Sequence, residues 1–130
     1  MLTSLRFYGF LKTEPSEKIV FTAPFNEKKV LPFRVANAGS LPIGWRVKVN
    51  NSRRINVDPP SGVLRANETT LISIICEPFN YHVECSAGDS MTFEWNTVSG
   101  SDTRDFDMLS KSDSTFAACS KRIIRILYYA

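Results

Sequence analysis

The chain has 130 residues, 43% hydrophobic and 22% charged, the composition of one globular domain and not of a disordered or fibrous chain. Its 16 basic and 13 acidic residues leave a net charge of +3, too mild an excess to mark a nucleic-acid-binding surface. No apolar run approaches the roughly 20 residues of a membrane span, and the opening MLTSLRFYGFLK is interrupted by Arg6 and Gly9, so neither membrane insertion nor a secretory signal is expected.

Residues 1–13 form an N-terminal arm whose Leu5, Phe7, Tyr8, Phe10 and Leu11 suit an edge strand, a docking arm or a disordered tail; the domain proper is expected over 14–130. From Lys18 to Phe21 a short strand is predicted, followed by the turn-rich APFNEKK. VLPFRVANAG then alternates, with Leu31, Phe33 and Val35 on one face and Arg34 on the other. In IGWRVKVNN the alternation is clearest: Trp45, Val47 and Val49 face one way, Arg46, Lys48 and Asn50 the other. Both tryptophans read as core.

After this comes RINVDPPSGVL, two short apolar runs separated by Asp58, Pro59, Pro60 and Gly62. Proline fixes φ and has no N–H, so this stretch can end one strand and change the chain's direction, with Gly62 expected to permit the turn. TTLISIICEP is apolar on both faces, as a central strand would be. SMTFEWNT alternates again, residues 99–118 are a polar connection with a helical turn expected over Phe106–Leu109, and KRIIRILYY closes the chain. Six or seven short strands with turns every roughly 8–12 residues predict an all-β fold, a sandwich of two antiparallel sheets.

Catalytic chemistry has little to stand on. His82 is the lone histidine and no nucleophile elbow accompanies it; Asp102, Asp105 and Asp107 lack the glycine and terminal glutamate of a calcium loop. Cys76, Cys85 and Cys119 are odd in number and without C-x-x-C spacing, which points to free thiols in a reducing compartment, not to a disulfide framework or a zinc site. No enzyme activity, metal or cofactor is expected. Asn50 and Asn67 head formal glycosylation sequons and read as turn residues.

In order, KIVFTAPFNEKK, NAGSLPIGWRVKVNNSRRINVDPPSGVL, CEPF and MTFEWNT resemble the major sperm protein domain of nematodes. The strongest match is Ile43, Gly44, Trp45 and Lys48, followed by Val57, Asp58, Pro59, Pro60, Gly62, Val63 and Leu64. The resemblance implies an immunoglobulin-like seven-stranded antiparallel sandwich without an active site. It also implies protein partners, either a second copy in a homodimer or a filament of major sperm protein, in the cytoplasmic cytoskeleton of the sperm pseudopod. Phe25, Lys28, Lys29 and Val30, ahead of a strand, form the candidate self-assembly edge, because strand edges offer unpaired N–H and C=O groups.

The alternative branch, the VAMP-associated proteins, binds acidic peptides containing two phenylalanines. Lys48, Asn50, Thr92 and Lys121 form the corresponding candidate groove. Ser90 and Thr92 stand where that branch carries a lysine and a methionine, and no coiled coil or anchor follows Ala130, so the cytoskeletal branch is the expectation.

Overall fold

A computed structural model describes residues 11–84, 86–97 and 120–130. Among these there is no helix, and nine strands follow one another: β1 (Leu11–Glu14), β2 (Lys18–Thr22), β3 (Lys29–Asn37), β4 (Ile43–Val49), β5 (Ile55–Asp58), β6 (Ser61–Leu64), β7 (Thr69–Cys76), β8 (Ser90–Thr97) and β9 (Ser120–Tyr129). They form a four-stranded sheet ordered β1-β3-β7-β5 and a five-stranded sheet ordered β2-β9-β8-β4-β6. Phe106–Leu109 and Asp102, Asp105 and Asp107 lie outside the described residues, as do Cys85 and Cys119.

The nine stretches reduce to the seven strands of an immunoglobulin-like sandwich when two of them are seen to switch sheets. β1 lies in the four-stranded sheet and β2 in the other, with Pro15 between them; β5 and β6 divide in the same way across Pro59 and Pro60. Proline cannot donate to a ladder, so each switch falls where the sequence removes the hydrogen bond that would continue the strand. Pairing is antiparallel except between β2 and β9, where Lys18–Thr22 runs parallel to Arg125–Tyr129. β2 arrives from the opposite sheet and no hairpin joins it to β9, so no tight turn imposes the antiparallel direction.

The inner faces meet through aromatic residues. Phe33 of β3 stacks on Phe93 of β8 with centroids 5.3 Å apart, which joins the two sheets, and Trp45 lies 6.1 Å from Phe93. Trp45 and Trp95 are both buried. Strand β7 is central to its sheet, but only one of its faces is enclosed: Ile72, Ile74 and Cys76 are buried, whereas Leu71 is 60% exposed.

Gly62 is not the turn residue that its place after the prolines suggested. It sits within β6 directly opposite Trp45, and a Cβ there would lie 3.1 Å from the indole. The position is glycine because a large ring packs over it, with no need for φ > 0.

Candidate interaction surfaces

The outer face of the five-stranded sheet gathers charge. Alternation sends Trp45, Met91, Phe93 and Trp95 inward, and Arg46, Lys48, Thr92, Glu94 and Lys121 outward. Cross-strand register places Lys48 beside Thr92, and Glu94 between Arg46 and Lys121. Arg46 Nε donates to Glu94 Oε1 at 2.7 Å, with Lys121 Nζ 3.3 Å from Oε2 and Lys48 Nζ 3.8 Å from Oε1. Glu94 is only 4% exposed. Burial alone would raise its pKa, but the hydrogen bonds from Arg46 and Lys121, with the charges of Arg46 and Lys48, hold the carboxyl below its ordinary range.

Lys48, Thr92 and Lys121 therefore share one surface, organised by a carboxylate that the sequence reading did not single out. Asn50 serves elsewhere. Its amide donates to the Gly88 carbonyl at 2.8 Å, and its Oδ1 accepts the Ser90 N–H at 2.9 Å, so it pins the loop that leads into β8. Ile123, 65% exposed, pairs with Thr92 at the margin of the charged group.

The candidate assembly edge divides in two. Phe25 is buried in an aromatic cluster, with centroids 4.9 Å from Tyr81, 5.1 Å from Phe79 and 6.1 Å from Tyr128. Its ring is held in that cluster and not presented at the strand edge beside Lys28, Lys29 and Val30. Lys28 is exposed just ahead of β3, Lys29 lies 3.8 Å from Glu27, and Val30 is 54% exposed. The cluster floors an open cleft of about 710 Å³ lined by Pro24, Phe25, Asn26, Phe79, Tyr81 and His82, among others. His82 is exposed there, its ring edge-on to Tyr81 at 5.8 Å, and no group of three or more metal-ligating side chains occurs among the described residues.

This sandwich and its sequence frame have a family. The model of the MSP (Major sperm protein) domain matches residues 10–115. The chain belongs to that family. It is 44% identical to major sperm protein isoform alpha of Ascaris suum over 93 residues, 71% of this chain and 73% of that one. To major sperm protein 2 of Onchocerca volvulus it is 41% identical over the same shares. Among solved structures, WR4, a C. elegans MSP family member, superposes with a TM-score of 0.68 over 91% of this chain and 96% of its own, at 13% identity. That likeness concerns the fold alone. As an MSP-family structural protein the chain is a divergent member, sharing less than half of its aligned residues with these relatives.

One feature of this MSP domain was not foreseen from sequence. Asp89, ahead of β8, is buried and accepts hydrogen bonds from Arg54 Nη1 at 3.0 Å and from the Tyr128 hydroxyl at 2.7 Å, with Asn51 Nδ2 at 3.3 Å. Arg54, also buried, stacks its guanidinium 3.9 Å from the Phe79 centroid, and its Nη2 lies 3.6 Å from Glu84. The Arg54 Nε has no hydrogen-bond partner among the described residues. Burial and the bond to Asp89 push the Tyr128 hydroxyl far above the usual tyrosine range, so it stays protonated as a donor. These residues tie the loops around β5 and β8 to the last strand and support the aromatic cleft from beneath.

Proposed function

We propose that this MSP domain is a non-catalytic protein of the nematode sperm cytoskeleton that self-assembles or binds filaments of major sperm protein during amoeboid crawling. The observation that carries the reading is 44% identity with a major sperm protein over 71% of the chain, a span too long to be explained by the DPP frame alone. The working location is the cytoplasm of the sperm pseudopod, with other MSP domains as partners.

Co-sedimentation with assembled filaments tests it. The chain is expected to pellet with filaments, or to form polymers of its own visible by electron microscopy. A chain that stays in the supernatant at every concentration, with and without filaments, overturns the reading. The acidic-peptide alternative has no observation of its own in its favour, because Arg46, Lys48 and Lys121 already close on Glu94. Salt-sensitive binding of an acidic two-phenylalanine peptide, abolished by Lys48→Glu, would reinstate it.

A further inference from the structure

The outer face of the five-stranded sheet is basic well beyond the group around Glu94. Alternation along β2 and β9 turns Ile19, Phe21, Ile124, Ile126 and Tyr128 inward, and sends Lys18, Val20, Ile123, Arg125, Leu127 and Tyr129 outward. Together the outward positions of the described strands present five basic residues, Lys18, Arg46, Lys48, Lys121 and Arg125, against one acid, Glu94. A net charge of +4 thus stands on one face of a chain whose total is +3.

Glu94 engages Arg46, Lys48 and Lys121, but Lys18 and Arg125 are in a different position. Both are exposed, the β2–β9 register sets them side by side, and neither has an ion-pair partner among the described residues. Glu17, next to Lys18 in sequence, contributes its carbonyl, which accepts the Arg125 N–H at 3.0 Å. Like charges placed beside each other destabilise a sheet, so the fold bears a cost here that an anion would relieve.

Apolar side chains are interleaved with these charges. Ile123, 65% exposed, stands between Lys121 and Arg125 on the outward side of β9. Tyr129, 53% exposed, follows the half-buried pair Leu127 and Val20. From Lys121 to Tyr129 the stripe is about 26 Å long at the rise of a β-strand. It is a sheet face and not a groove, and the aromatic cleft at Phe25, Phe79 and Tyr81 includes none of these side chains.

We propose that this stripe docks the domain on the surface of a bilayer containing anionic lipid. Charge complementarity selects the partner. Lys18 and Arg125 meet the lipid phosphates and carboxylates, while Ile123 and the amphipathic ring of Tyr129 enter the headgroup layer. A planar surface reaches the whole stripe at once. An acidic peptide would need a groove to hold its side chains, and it would find the cations around Glu94 already engaged.

The proposal goes beyond the cytoskeletal reading and does not rest on it. Flotation of the full chain with phosphatidylcholine vesicles, with and without phosphatidylserine, tests it. The chain is expected to float only with the phosphatidylserine vesicles, and less so as salt rises. A Lys or Arg near an anionic surface is worth about fivefold in affinity, so Lys18→Gln/Arg125→Gln should weaken binding about tenfold or more. Lys12→Gln/Arg34→Gln, the same charge change on the outer face of the other sheet, should leave binding nearly unchanged. Ile123→Ser, which alters no charge, should weaken binding several-fold and keep its salt dependence. Circular dichroism checks that each variant is folded.

No flotation at low salt, equal flotation with both vesicle types, or equal losses in the two double variants overturns the proposal. An acidic two-phenylalanine peptide that binds through Lys18 and Arg125 while vesicles do not would assign the face to a protein partner and also overturn it. So would inorganic phosphate that displaces the chain from vesicles at the concentration of the lipid phosphate, since the site would then take a single headgroup and not a surface. Filament co-sedimentation is run without lipid and scored separately, so either reading can fail alone.

Discussion

Trp45 and Gly62 face each other across β4 and β6, and three atoms of the indole stand 3.1–3.2 Å from where a Cβ on Gly62 would be. Trp45 is 1% exposed and is held by Phe93 behind it, so the ring has little freedom to retreat. Gly62→Val should therefore cost about 1–3 kcal/mol through overpacking. Gly62→Ala should cost less, since the entropy it removes from the unfolded chain, about 0.4–1 kcal/mol, offsets part of the strain. Urea denaturation of the two variants checks this ranking; two variants as stable as the wild type would show that the indole yields freely.

The buried polar group around Asp89 predicts a larger loss. Asp89→Ala leaves the buried Arg54 guanidinium with the exposed Glu84 carboxylate, 3.6 Å away, as its remaining counter-ion, so the loss should fall toward the low end of the about 3–5 kcal/mol that breaking a buried pair from one side costs. Tyr128→Phe removes the hydroxyl bond to Asp89 and keeps the ring, and should cost about 1.5–3 kcal/mol, the range for hydrogen bonds to charged groups. Because both variants act on one carboxylate, their effects should not add. An additive double variant would show that the two contacts are energetically separate.

Where the chain follows a period of two, its structure was legible beforehand. Trp45, Phe93, Phe33 and Val35 go inward as the alternation requires, and the strand break at Asp58–Pro59–Pro60 coincides with a passage between sheets. What could not be read depends on partners distant in sequence. Asp89 meets Arg54 and Tyr128 across 35 and 39 residues, and no local pattern in a single sequence announces a loop aspartate as buried. Phe25 stands in a turn-rich segment, where period-two reasoning assigns no face. Gly62 reads as a turn residue in the sequence because its demand for space comes from Trp45, on another strand. The candidate groove was half legible for a related reason: Lys48 and Lys121 were visible as charges, whereas the role of Glu94 required the β4–β8–β9 register.

That carboxylate makes stability sensitive to acid. Burial opposes ionisation of Glu94, yet the bonds from Arg46 and Lys121 and the nearby charges prevail and depress its folded pKa. A depressed carboxyl contributes stability that is present above the unfolded value of about 4.3 and is lost as pH falls through the folded value. Glu94→Gln should lower stability at pH 7 by about 1.5–3 kcal/mol, and the gap to the wild type should close below about pH 4. Denaturation midpoints measured from pH 7 downward test this; a gap that stays constant with pH would assign the loss to packing and not to charge.

On the alkaline side the controlling group is Cys76. Its thiol is 2% exposed, and burial, the largest cause, pushes its pKa up to about 11 despite the opposing influence of Arg54. In the unfolded chain a cysteine titrates near 8.5, so between about pH 8.5 and 11 the unfolded state releases a proton that the folded state keeps. The folded pKa is the higher one, so the contribution is complete below the unfolded value and is lost as pH rises through the folded value. Stability should fall over that interval, with Tyr128 adding to the decline above pH 10 because its hydroxyl is also pushed upward. Cys76→Ala should lower stability at pH 7 by leaving a small cavity, and should flatten the decline between pH 8.5 and 10, where the thiol alone of the two groups titrates. Urea denaturation of both chains across that range decides the matter: parallel profiles would mean that the Cys76 thiol is not held protonated by its burial.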